Sequence, residues 1–213
     1  MDHFIRISNV AVRTFDTPIK WSHRPKRHAL VSETAFYLWS DFQAGDRPNL
    51  ARAESRARGR LAQVANQLEL PGSLDQTEVT MAMRLAHRMA QYAEGFLVPG
   101  SVEIERRLPG IGWISGGLPD ITAQARSVGI VLSEVKAVDR PFRSVDMRQM
   151  VVYAVLYFAQ HRRLPACLSV VNPLKGAAIE VGTDEFFADV VGLPADEVIN
   201  HLLIEWSAAG VSP

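Results

Sequence analysis

The stretch LPDITAQARSVGIVLSEVKAV, residues 118 to 138, constrains this chain more than any other. Two runs that read as buried β-strand flank the connection RSVG, and that arrangement predicts a β-hairpin. Side chains alternate along a strand, so Glu134 and Lys136 share one face while Val135 points to the other. With Ser127, Val128 and Gly129 as a three-residue loop, the glycine supplying the left-handed position, Asp120 falls opposite Lys136 and diagonal to Glu134. Two carboxylates and one amine then converge on a patch a few Å across, in otherwise apolar surroundings.

Carboxylates held that close repel, and each raises the pKa of the other unless positive charge lies between them. Lys136 supplies one such charge, and a hard divalent cation would supply two more. Few side-chain ligands are on offer. That favours Mg²⁺ or Mn²⁺, bound together with a substrate that brings its own oxygens, over a closed structural site. A phosphodiester has the required oxygens and the required charge.

The remaining elements predict an α/β chain. FIRISNVAVRTF suits one or two short strands, SETAFYLWSDF a helix capped at Ser32, and NLARAESRARGRLAQVANQLEL a helix stopped by Pro71 and Gly72. Arg52, Arg56 and Arg60 share one face of that helix, either solvated or lining a groove for a polyanion. A further helix is expected over 78 to 94, then a half-exposed strand in GSVEIERRLPG. After the hairpin come a helix in SVDMRQMVVYAVLYFAQHR, strands in ACLSVVNPL and AAIEVG, and two closing helices.

Composition narrows the function classes. The chain has 213 residues, 47% hydrophobic and 22% charged, with a pI near 7.0, so bulk positive charge is not its route to nucleic acid. The charge is uneven: residues 1 to 60 hold 11 Lys and Arg against 6 Asp and Glu. KWSHRPKRHAL, within that basic third, reads as a solvated loop or as a phosphate-contacting arm. A single cysteine, Cys167, excludes an internal disulfide and a four-thiolate metal site. No run is long enough to span a bilayer, and the first residues lack an export pattern, so a cytoplasmic protein with no membrane partner is expected. G-x-S-x-G and the G-x-x-x-x-G-K-[ST] phosphate loop are both missing from the sequence.

Pro119-Asp120, then 13 residues, then Glu134-Val135-Lys136, resembles the PD-(D/E)xK nuclease superfamily, whose fold is restriction-endonuclease-like. Gln149 and Tyr153 follow at i and i+4 on the next helix and are similar to the Q-x-x-x-Y motif of the RecB-like branch. The resemblance covers roughly residues 78 to 172. It implies an α/β core in αβββαβ order, a central mixed β-sheet flanked by helices, over 78–175. A basic N-terminal region, 1–77, would contact nucleic acid or another copy, and an acidic C-terminal region, 176–213, would pack on the core. It further implies a divalent ion, Mg²⁺ or Mn²⁺, held by Asp120, Glu134, the Val135 carbonyl and His87, with Glu94 or Glu103 as alternatives to the histidine. Lys136 would orient the attacking water or meet charge on the phosphate, and Gln149 and Tyr153 would position the substrate. Arg143 and Arg148 would touch flanking phosphates or remain solvated. The implied activity is metal-dependent cleavage of DNA in bacterial or phage DNA processing, recombination, repair or defence, alone, as a homo-oligomer or with a partner such as a helicase. The alternative is a nuclease fold kept for nucleic-acid binding or assembly.

Overall fold

The computed structural model describes residues 12–21, 27–64 and 72–208. In chain order the described elements are β1 (Arg13–Thr14), α1 (His28–Gln43), α2 (Leu50–Val64), α3 (Gln76–Phe96), β2 (Glu103–Ile104), β3 (Leu108–Ile111), β4 (Ile114–Gly117), β5 (Ile121–Ala125), β6 (Gly129–Val135), α4 (Ser144–His161), β7 (Cys167–Asn172), β8 (Ala177–Gly182), α5 (Thr183–Val191) and α6 (Ala195–Ala208). Six strands form one mixed sheet in the order β1-β8-β7-β6-β5-β2, and β3 and β4 pair as a separate hairpin. The protein is thus an α/β structure. The regions before and after the central segment each add a strand to the same sheet, β1 and β8, which pair with one another.

Among the described strands only β6 and β7 run parallel. A parallel pair needs a crossover of a dozen residues or more, and α4 supplies it. Both faces of the sheet are covered, which is why its central strands read as nearly continuous apolar runs. On one face Ile121, Ala123, Val131 and Val171 pack in a core with the buried residues of α1, α2 and α3. On the other, Leu132, Leu168, Val170 and Ile179 pack with α4, α5 and α6. Val131 and Leu132, adjacent in sequence, belong to opposite cores, as a period of two requires.

The β5–β6 hairpin differs from the sequence-based register by two residues. Ala125 pairs with Gly129, so the loop is Arg126, Ser127 and Val128, and the glycine is the first paired residue rather than the last loop residue. Gly129 still uses its freedom, at φ +107°, and a Cβ there would lie 3.1 Å from that of Ala166. Continued by one residue, this register sets Asp120 opposite Glu134 and diagonal to Lys136. A slip of two preserves the face, so the three groups still converge.

Other boundaries also moved. Helix α1 starts with Arg27 as its N-cap, and Ser32 lies inside it, donating to the Ala29 carbonyl at 3.0 Å. Helix α3 starts earlier than expected because Asp75 and Glu78 form a capping box, each side chain accepting from the other's backbone N–H at 2.9 Å. The strand expected in GSVEIERRLPG shrinks to Glu103–Ile104, because Glu105 takes φ +49° and turns the chain away; the hairpin β3–β4 follows. Residues 1–11, 22–26 and 65–71 lie outside the described residues, and with them parts of the expected N-terminal strands, the basic arm and the Pro71 stop. No described helix is long and apolar enough to cross a membrane.

Candidate metal centre

Asp120 lies just before β5 and Glu134 near the end of β6, where the sheet opens into a cleft of about 990 Å³. Asp120 is held by its own neighbour strand: the Val135 backbone N–H donates to its Oδ2 at 2.7 Å, and its carbonyl accepts from the Glu105 N–H at 3.1 Å. Glu134 is 5% exposed. Its Oε1 accepts from Lys136 Nζ at 2.7 Å, while Oε2 is buried with no hydrogen-bond partner among the described residues.

Lys136 is shared. Its Nζ also donates to Gln149 Oε1 at 3.0 Å; Gln149 Nε2 donates to the Tyr153 hydroxyl at 2.6 Å; that hydroxyl donates to the Leu118 carbonyl at 3.2 Å. The i, i+4 spacing on α4 makes this relay possible, because it stacks the two side chains along one helix face. Gly117 makes room for it. A Cβ there would lie 2.8 Å from the Tyr153 ring and 2.9 Å from Leu156. Glu134, Lys136, Gln149 and Tyr153 therefore form one chain of side-chain contacts, which Asp120 joins through the Val135 N–H, and Asp120, Glu134, Val135 and Lys136 line the same cleft.

Burial pushes the Asp120 carboxyl well above its ordinary value, and the facing Glu134 pushes it further. Burial also raises Glu134, with Lys136 and then the adjacent Gln149 and Tyr153 side chains opposing the shift. The Tyr153 hydroxyl is raised by burial and then by Glu134. Both carboxyls thus stand in surroundings that disfavour their charge, which a nearby cation would relieve.

Two more acids, not anticipated from sequence, face this pair. Glu33 of α1 lines the cleft and is raised chiefly by burial, then by Glu105 and Glu134, against the pull of Arg60 and Lys136. Glu105 accepts from the Tyr37 hydroxyl at 3.2 and 3.4 Å and lies 3.8 Å from Arg60. Burial, then Glu105 and Glu33, push the Tyr37 hydroxyl up to about 12. The available signal for Glu33 was an acid inside the apolar helix run SETAFYLW.

The cleft wall beyond Lys136 is pinned. Asn172 Nδ2 donates to the Val138 carbonyl at 2.7 Å, Lys175 pairs with Asp139, and Arg140 makes a two-pronged contact with Asp146 at 2.7 and 2.8 Å. Of the arginine stripe, Arg52 and Arg56 bind Asp41, Arg56 also stacks over Tyr37 at 4.1 Å, and only Arg60 reaches the cleft. Arg143 and Arg148 are exposed.

His87 does not join the centre. Helix α3 turns Leu85, Arg88, Met89 and Tyr92 inward, which leaves His87 exposed in a separate, apolar groove of about 320 Å³ beside Phe42, Met83 and Glu94. Glu94 is removed from the carboxylate pair with it. Glu103 is exposed and pairs with Arg106 at 3.0 Å. Cys167 is buried in β7, and burial pushes its thiol up to about 12, which removes it as a nucleophile.

Among the described residues no three of His, Cys, Asp and Glu stand together as a ready ligand set. Asp120 and Glu134 nonetheless suit an open site. They are two facing carboxylates whose charge is disfavoured by burial, at a cleft wide enough for waters and substrate to complete the coordination.

The fold and the site define an α/β protein that carries a paired-carboxylate and lysine centre at its strand ends. No family model matches the chain, and no curated protein matches it.

Proposed function

We propose that this chain is a divalent-metal-dependent nuclease of the PD-(D/E)xK type, restriction-endonuclease-like in fold and RecB-like in branch, hydrolysing phosphodiester bonds in DNA. The observation that carries this reading is the connected group in which Asp120 faces Glu134, Lys136 bridges Glu134 to Gln149, and Tyr153 anchors Gln149.

In this reading Asp120 and Glu134 would hold Mg²⁺ or Mn²⁺, with the Val135 carbonyl and Glu33 nearby. Such an ion, when bound, would supply a lowered pKa to a water and positive charge against the phosphate. Lys136 presents a compact ammonium to charge that develops on the phosphate, and Gln149 fixes where that ammonium sits. Lys20 and Arg60 on the cleft walls offer cations to flanking phosphates. Glu33 and Glu105 make the cleft floor anionic without an ion, so the cation and the DNA are expected to bind with mutual dependence.

The test is cleavage of linear and circular DNA by the purified protein with Mg²⁺, Mn²⁺ or EDTA, with Lys136→Ala alongside. Metal-dependent cutting that the variant loses supports the reading. No cutting by folded protein under any metal overturns it and favours the alternative, a non-catalytic nuclease-fold protein of nucleic-acid binding or assembly.

A further inference from the structure

Lys136 stands where a cation would have to arrive. Glu134 lines the cleft, and its Oε1 carries the Lys136 ammonium at 2.7 Å, so a cation that takes this oxygen has to displace that contact. Asp120 has one oxygen committed to the Val135 N–H, so the pair cannot simply turn away to make a second site. The same ammonium has a second partner 3.0 Å away, the Gln149 carbonyl oxygen. That oxygen is aimed by a fixed chain: the amide nitrogen of Gln149 donates to Tyr153, and Tyr153 donates to the Leu118 carbonyl.

From this geometry we infer that Lys136 is a resident counterion that a divalent cation displaces from Glu134, and that the Gln149–Tyr153 pair is the cradle that receives it. The inference rests on the nuclease reading and specifies how its metal site is controlled. Without an ion, the ammonium neutralises Glu134 and keeps the facing carboxylates from forcing the strand ends apart. When an ion takes Oε1, Lys136 keeps Gln149 Oε1 and remains within the centre instead of leaving for solvent. The relay then has a part distinct from substrate contact: it lowers the cost of giving up Glu134.

Two neighbouring substitutions should therefore act with opposite sign. Lys136→Met removes the competitor while keeping the length of the side chain. Gln149→Met leaves every charge in place but removes the alternative partner, so the ammonium holds Glu134 alone. A plain loss of packing at either position cannot produce that pair of signs.

The measurement is calorimetric titration of Mn²⁺ into the purified protein without DNA, comparing wild type, Lys136→Met, Gln149→Met, Tyr153→Phe and Asp120→Asn, each first shown to be folded by its melting curve. Charge-assisted hydrogen bonds of this kind correspond to about a tenfold gain in Mn²⁺ affinity for Lys136→Met and a loss of about threefold or more for Gln149→Met. Tyr153→Phe should lose less than Gln149→Met, and Asp120→Asn should abolish the binding. Wild-type binding with Lys136→Met unchanged or weaker overturns the inference alone, as does Gln149→Met unchanged or tighter. Binding that survives Asp120→Asn places the ion elsewhere and overturns it too. No uptake by the wild type overturns the inference together with the metal-dependent reading beneath it.

Discussion

Replacing Asp120 by Asn should make the metal-free protein more stable, although it removes a group at the centre of the site. One residue beyond the Ile121–Ser133 pair, the register continues to Asp120 opposite Glu134, and paired positions place Cβ atoms roughly 5 Å apart. Two unit charges at about 5 Å repel by about 3 kcal/mol at an effective dielectric of about 20. The attraction of Lys136 for Asp120, lost with it, offsets about half by the same arithmetic, leaving a net gain of about 1–2 kcal/mol when that charge is removed. At this chain length about 1 kcal/mol moves the melting temperature by roughly 2–4 °C, so a rise of about 2–8 °C is expected. The asparagine oxygen can still accept from the Val135 N–H, so the local hydrogen bond survives.

The pH dependence has a definite sign. Both carboxyls have folded-state pKa values raised above their unfolded ones, so the folded state holds more protons and loses stability as pH rises through those values. The advantage of Asp120→Asn should thus be absent below the unfolded carboxyl range near pH 4, about where Asp and Glu titrate freely, and grow above it. Saturating Mg²⁺ should reverse the ranking, because an ion at about 100 times its dissociation constant adds about 2.7 kcal/mol to the wild type alone. Melting curves in EDTA and in Mg²⁺ across this pH range provide the assay. A destabilised Asp120→Asn in EDTA at high pH, or a gain independent of pH, refutes the reasoning.

Gly117→Ala should drive a methyl group into Tyr153 and Leu156 and cost about 1–3 kcal/mol, with a loss of DNA cleavage larger than the loss of folded protein at assay temperature; full activity would separate the relay from the chemistry. Arg88 is 1% exposed, faces Asp16 at 2.9 Å and donates to the Pro173, Leu174 and Thr17 carbonyls, so Arg88→Ala should cost about 3–5 kcal/mol in chemical denaturation; a cost near zero would show that the clasp is not load-carrying. Glu33→Gln should weaken Mn²⁺ uptake by a smaller factor than Asp120→Asn while raising metal-free stability, since burial and Glu105 disfavour its charge; unchanged calorimetric affinity would exclude Glu33 from the ion's surroundings.

What could be read from sequence followed from local periodicity. Alternation on β6 puts Glu134 and Lys136 on one face, and the i, i+4 spacing puts Gln149 and Tyr153 together on α4, wherever those elements end up. The hairpin register was beyond alternation, because a slip of two residues leaves every side chain on its face and changes only which residue is opposite which. His87 shows the complementary limit. A helix position says nothing about which way its face is turned, and here the buried Leu85, Arg88, Met89 and Tyr92 decide it. Glu33 and Glu105 come to the cleft through the packing of α1 and a backbone turn at positive φ, neither of which has a local signature. Glu78 shows the same at smaller scale: its pairing with Asp75 moved the start of α3 and also draws Arg27 onto it at 2.6 Å.

The proposed activity requires a divalent ion held between Asp120 and Glu134. Crystals of the protein soaked in Mn²⁺, with diffraction recorded at the manganese absorption edge, locate such an ion without reference to activity. The account predicts an anomalous peak within bonding distance of both carboxylates, with Lys136 withdrawn from Glu134 Oε1 to Gln149. Ordered crystals with no peak there, Lys136 still seated on Glu134, would contradict it.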